Sequence, residues 1–387
     1  MLIYIFFDFI ILLFIIINDI KNKKIKLFSK YFILTIFYIV ASMSYKIHSD
    51  MYFYENIYYE ANLNNIFYSR FEPGYMLLNS IFNNFVNFII FKIIIYFFMV
   101  VFIYDGVKKF INKEDITIFF ALLFLLSAFY INLTVTLRQA IAVSIFIYSL
   151  QFLLTKKYLK YYIYIIFASF FHISAIVLLI IPLLFKIISK NLLFDFILLI
   201  ITILLINTLF IDMIFINLTN LVSQFIPVLV HYSIKVTFEH PNFSLYSVFI
   251  FLLYLIVLML FISKKEKTKI DIFIYKGFVM FIILYFLNLK ITFFYRFLFY
   301  FYIFQVFIFI FLFNRFRKNI SYYIVKYVSV FIFIFLLNLR VIYNQYANDA
   351  RLIPYHSSIE LLFYNIPYRN TAQYYHNIES FGTAYPR

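Results

Sequence analysis

Arg138-Gln139-Ala140-Ile141-Ala142-Val143-Ser144-Ile145-Phe146-Ile147-Tyr148-Ser149-Leu150-Gln151-Phe152-Leu153-Leu154 is the stretch that decides the fold. It holds one charge, at its first residue, and Lys156, Lys157 and Lys160 follow its end. An apolar run of this length, closed by a lysine cluster, reads as a helix that crosses a bilayer. Similar runs recur on both sides, at about 2 to 18, 29 to 44, 88 to 105, 116 to 131, 158 to 172, 173 to 189, 192 to 210, 246 to 262, 271 to 288, 291 to 313 and 322 to 338. With 65% hydrophobic residues in 387, so many runs exceed what one soluble core can bury. Runs of roughly 16 to 22 residues also select helices over barrel strands of about ten. The expected fold is an all-α polytopic membrane protein, a bundle of about twelve transmembrane helices.

The formal net charge of +16 invites a nucleic-acid reading. Most of the lysines, however, sit in short connections between apolar runs: Lys21, Lys23, Lys24, Lys26 and Lys30; Lys108, Lys109 and Lys113; Lys156, Lys157 and Lys160; Lys186 and Lys190; Lys264, Lys265, Lys267 and Lys269; Arg315, Arg317 and Lys318. Topology explains them, and by the positive-inside bias they face the cytoplasm, with both termini outside. No nucleic-acid partner is expected. With no cysteine there is no disulfide or thiolate chemistry. No Cys/His spacing suggests a metal, no glycine-rich loop suggests a nucleotide, and no cofactor is expected. The first apolar run lacks a basic leader and a small-residue cleavage site, so it reads as a retained helix.

The remaining connections fall outside, with sparse charges of mixed sign and histidines: Asp50, Glu55, Glu60, Arg70 and Glu72; Arg138; His172; His231, Glu239 and His240; Lys290 and Arg296. Two are too long for turns. Residues 45 to 87 carry Arg70-Phe71-Glu72-Pro73-Gly74-Tyr75 and then Asn79, Asn83 and Asn87, spaced by four. That spacing makes an asparagine stripe opposite Leu78, Phe82 and Phe85, as in an amphipathic or re-entrant outer helix entered at Pro73 and Gly74. Residues 211 to 245, broken at Pro227, form the second. Residues 1 to 338 are therefore expected as one helical domain and 339 to 387 as an external tail.

Arg138 opens its helix and Arg296 sits near the outer end of another. Taken singly, an arginine at a helix end anchors a headgroup as readily as it binds a ligand. Two on one face, with few other outer cations, favour a clamp for pyrophosphate, because the guanidinium fork gives paired hydrogen bonds to phosphate oxygens. His172, between two short apolar runs, is suited to take a proton from a sugar hydroxyl, although spacing alone favours a ring bonded to a backbone carbonyl at a helix break. Glu72 is a second candidate base, and a helix N-terminal cap is its plainer role. Asp50 and Glu239 read as solvated loop charges.

Glu72-Pro73-Gly74-Tyr75, Leu137-Arg138-Gln139-Ala140-Ile141-Ala142 and Ala168-Ser169-Phe170-Phe171-His172-Ile173-Ser174-Ala175, in this order, resemble the EpsG family of Wzy-type polysaccharide polymerases. Tyr295-Arg296-Phe297 and Pro354-Tyr355 add to the likeness, which spans roughly residues 45 to 356. The resemblance implies a metal-independent, inverting glycosyl transfer at the periplasmic or extracellular face of the bacterial cytoplasmic membrane, joining oligosaccharide repeat units carried on undecaprenyl diphosphate. It implies diphosphate binding by Arg138 and Arg296 and catalysis by His172 or Glu72, while the asparagine-bearing helix at 75 to 87 leads us to expect sugar contacts from Tyr75, Asn79 and Asn83, with Gln139. A polysaccharide co-polymerase that sets chain length is the implied protein partner. Two alternatives use the same lipid-linked substrate: a flippase, which would need a polar cavity at mid-membrane, and a ligase that transfers finished glycan.

Overall fold

The computed structural model describes residues 22–44, 49–66, 71–188, 192–206, 245–263 and 267–316, with isolated positions 9, 13, 17 and 217. Among the described residues every regular element is a helix and none is a β-strand. In chain order the α-helices are α1 (Lys23–Met43), α2 (Ser49–Glu60), α3 (Pro73–Phe82), α4 (Phe88–Val107), α5 (Ile116–Leu125), α6 (Ser127–Val135), α7 (Leu137–Leu154), α8 (Tyr158–Ser169), α9 (Ile181–Ile187), α10 (Leu192–Ile206), α11 (Leu245–Ile262), α12 (Lys269–Lys290) and α13 (Tyr295–Phe316). A 3₁₀ segment, Ile173–Ile180, joins α8 to α9. Five helices, α1, α4, α7, α12 and α13, are long and apolar enough to cross a membrane. The expected segments 2 to 18 and 322 to 338, the loop 211 to 245 up to its last residue and the tail 339 to 387 lie outside the described residues, apart from the isolated positions.

Local chemistry sets the helix starts. Asn22 and Asn87 accept the N–H groups of Lys24 and Ile90, both at 2.9 Å. Thr268 and Asp271 form a reciprocal capping box at α12. After α7, Lys156 takes the left-handed conformation (φ 57°), so the chain turns sharply into α8. α7 packs against α4 and α8, and α12 against α13. α5 is buried at every position and packs against α1, α6 and α13. Leu126, with ψ 80°, breaks the expected 116 to 131 helix into α5 and α6. Its non-helical backbone is tolerated because it is enclosed by protein, where the amide of Phe129 bonds the Leu126 carbonyl at 2.9 Å. Phe97, Phe98 and Val101 on α4, and Leu159, Ile163 and Phe167 on α8, remain exposed. Such an apolar belt belongs against lipid.

Polar groups divide between the two ends of the bundle. At the lysine end, Lys26 meets Glu114 at 2.8 Å, Lys30 donates to the Tyr104 hydroxyl at 2.8 Å, and Asn314 donates to Asp115 at 2.9 Å. A half-open cavity of about 550 Å³ lies there, lined by Asn112, Asp115, Asp271 and Asn314 among apolar residues. The opposite end gathers Glu72, Arg138, His172 and Arg296.

The α4–α7 contact depends on a missing side chain. A Cβ on Gly106 would stand 2.6 Å from the Ile147 carbonyl oxygen. Gly106→Ala therefore forces two packed backbones apart, and we expect it to cost about 1–3 kcal/mol. The check is a lowered thermal midpoint of the detergent-solubilised protein, and an unchanged midpoint would refute the close approach.

Candidate functional site

Pro73 opens α3 with its fixed φ, and Gly74 lets the helix start press against the turn that follows α8. The Gly74 amide donates to the Phe170 carbonyl at 2.9 Å, and a Cβ at Gly74 would lie 2.8 Å from that oxygen. This contact delivers Glu72 to the start of the 3₁₀ segment. Glu72 occupies the N-cap position of α3, yet its side chain makes no capping bond. One carboxylate oxygen pairs with Arg138 and the other accepts the Ile173 amide at 3.1 Å.

Arg138 is wedged among aromatic rings, its guanidinium carbon 4.4 Å from the Phe71 ring centroid and 5.8 Å from that of Tyr54. Burial pushes the Tyr54 phenol up to about 12 against the opposing pull of Arg138, so it stays a neutral hydroxyl. Burial raises Tyr75 further still, and its hydroxyl approaches the Asn79 amide. Tyr75 and Asn79 are fully buried. Among the described residues the Tyr75 hydroxyl, both amide atoms of Asn79 and the Arg138 Nε make no hydrogen bond of full geometry. Burying such groups unpaired costs about 1–3 kcal/mol each, so a cluster of them calls for an explanation.

On the other side of the site, Gln139 donates its amide to the Arg296 carbonyl at 2.5 Å, and Tyr295 donates to Asn132. The Arg296 guanidinium lies 5.7 Å from the Phe293 ring. His172 caps the 3₁₀ segment, and its ring accepts a backbone amide, where the sequence suggested a bond to a carbonyl. Its Nδ1 lies 3.3 Å from the Ser174 amide and 2.6 Å from the Ser174 hydroxyl, which lies 3.0 Å from the Tyr300 hydroxyl. The ring sits in the turn, outside the five long apolar helices. Burial, then Arg138 and Arg296, hold its pKa well below the ordinary histidine value. Both guanidiniums thus act on one imidazole.

The profile of the EpsG family matches residues 36–357. The chain belongs to the EpsG family. This is a family of Wzy-type polysaccharide polymerases, and with its membrane-length helices this EpsG chain is an integral membrane protein. Searches of curated proteins and of solved structures return no match.

The structure brings Glu72, Tyr75, Asn79, Arg138, Gln139, His172 and Arg296 to one end of the EpsG bundle. Asn83 is used differently from Asn79: its amide donates to the carbonyls of Tyr58 and Ala61, at 3.0 and 2.7 Å, bracing α2. The asparagine stripe also stops early, since α3 ends at Phe82 and Asn87 caps α4. Asn79 faces inward while Phe85 is 80% exposed, so the stripe turns its amides to the protein.

Sequence reasoning missed Tyr54, Ser174, Tyr300 and Lys92. Tyr300 falls one helical turn after Arg296, and Ser174 lies in a motif already singled out, so spacing could have flagged both. Lys92, buried on α4, donates to the Ser44 carbonyl at the end of α1. No pattern announces Tyr54.

Keeping His172 neutral links folding to pH. Its native pKa lies below the unfolded value of about 6.5, so in the interval between them the unfolded chain binds the extra proton. Wild type should lose stability relative to His172→Gln as pH falls below about 6.5, with no pH-dependent difference above it. Thermal midpoints of both proteins across pH check this, and a constant difference would refute it.

Proposed function

We propose that the protein is the polymerase that joins oligosaccharide repeat units carried on undecaprenyl diphosphate, at the outer face of the cytoplasmic membrane. In this reading Arg138 and Arg296 bind the donor diphosphate, and Tyr75, Asn79 and Gln139 meet sugar hydroxyls. The acceptor hydroxyl attacks the anomeric carbon with inversion, and the lipid diphosphate departs. The observation that carries it is the cluster of buried donors and acceptors on Tyr75, Asn79 and Arg138 that lack well-formed hydrogen bonds among the described residues. A ligand that supplies hydroxyls and anionic oxygens answers that cluster.

Charge developing on the leaving diphosphate is the part of the transition state that needs help, and fixed cations beside apolar rings provide it. Phe71 and Tyr54 hold the Arg138 plane, and Glu72 fixes its azimuth. Glu72 thereby becomes a positioning carboxylate, both of its oxygens being committed. A separate chain-length regulator belongs to the reading as a partner.

Arg138→Lys keeps the charge but loses the planar fork. Replacing a charge-assisted hydrogen bond worth about 1.5–3 kcal/mol should slow polymerisation about ten- to a hundredfold, and Arg296→Lys should act alike. The assay is ladder formation by purified protein from lipid-linked repeat units with no other acceptor. Wild-type rates from both variants at equal abundance would defeat the clamp. Release of glycan without growth would indicate a ligase, and neither ladder nor release would favour a flippase.

A further inference from the structure

We propose that His172 serves the reaction as a hydrogen-bond donor through Nε2–H, and not as the base that removes the acceptor's proton. The inference deepens the polymerase reading and rests on it. Its ground is the other ring nitrogen. The Ser174 amide points at Nδ1 from 3.3 Å, and a backbone amide can only donate. Nδ1 must therefore carry a lone pair. The Ser174 hydroxyl, 2.6 Å from the same nitrogen, donates as well, and the Tyr300 hydroxyl at 3.0 Å donates to Ser174 in turn. A neutral imidazole has one proton, so it sits on Nε2.

The opposite tautomer would face two N–H groups across 3.3 Å and strip the cap from the 3₁₀ segment. The cationic ring is opposed by burial first and then by the two guanidiniums. Among the described residues Nε2 has no hydrogen-bond partner, so its proton is left for a bound molecule. In a site that already holds two guanidiniums, the fitting acceptor is an anionic phosphate oxygen. His172 is thus a third donor to the donor diphosphate, oriented by the chain Tyr300–Ser174–His172, which starts one turn after Arg296 on α13.

The reaction balances without a protein base. The acceptor oxygen bonds the anomeric carbon, the bond from that carbon to the phosphate oxygen breaks, and its electron pair leaves with the diphosphate. The acceptor's proton passes to solvent water on the attacking side, since inversion puts the departing diphosphate on the opposite face of the anomeric carbon. The diphosphate is free to take up a proton from solvent after it leaves.

Two measurements on the full-length protein test the assignment. In the wild type, labelled with ¹⁵N-histidine and with the ring signals assigned by comparison with His172→Gln, Nε2 should appear protonated and Nδ1 bare. A protonated Nδ1 overturns the proposal. In the ladder assay, His172→Gln places an amide N–H near the Nε2 position and cannot act as a base, so it should retain polymerisation within about tenfold of wild type. His172→Ala and His172→Asn should fall about ten- to a hundredfold below the Gln variant, on the scale of a lost charge-assisted bond. A Gln variant as inactive as Ala would restore the base role and overturn the donor. An active Asn variant would overturn it too, because Asn can accept the Ser174 amide and so replaces only the cap. A wild-type protein that builds no ladder would defeat the polymerase reading, whereas the ring-nitrogen signals report the tautomer regardless.

Discussion

One carboxylate organises the arginine end of the molecule. Glu72 holds the Arg138 guanidinium with one oxygen and the Ile173 amide with the other, so α3, α7 and the 3₁₀ segment meet at a single side chain. The partners lie 66 and 101 residues away. A guanidinium wedged among aromatic rings is expensive without an anion, and an anion there is equally expensive without the guanidinium. The pairing therefore fixes where α3 starts. It also fixes the turn at 170–172, whose carbonyl takes the Gly74 amide, and hence the plane of the His172 ring.

A second set of contacts attaches α13 to this assembly. Gln139 reaches the Arg296 carbonyl, Tyr295 reaches Asn132 and Tyr300 reaches Ser174. The arginines are consequently carried by long helices that pack on a densely aromatic core, and not by free loops. Sites built on such elements hold their geometry better than sites on loops. The lysine end is organised by other rules, with exposed ion pairs such as Lys108–Asp105 that cost little to rearrange.

Much of the helical framework was legible because lysines bracket apolar runs. Residues 138 to 154 correspond to α7, Leu137–Leu154, almost residue for residue. The break at Leu126 was not legible, since neither proline nor glycine marks it and only the surrounding packing makes it tolerable. Asn87 looked like part of a stripe because spacing cannot tell a cap from a face. For the site, the residue types were readable and their pairings were not. Nothing local says that Glu72 belongs with Arg138, or that the phenol beside them is Tyr54. Tyr300 was within reach of a helical-spacing argument, because it shares a face with Arg296.

The bond from Gln139 to the Arg296 carbonyl has a mechanical side. Helices answer a thinner or thicker bilayer by tilting, each according to its own length. α7 and α13, joined at their ends by this bond and through α6 by Tyr295 and Asn132, have to tilt as a pair. The spacing of the two helix starts that carry the arginines is then set by contacts within the protein more than by the thickness of the lipid around it.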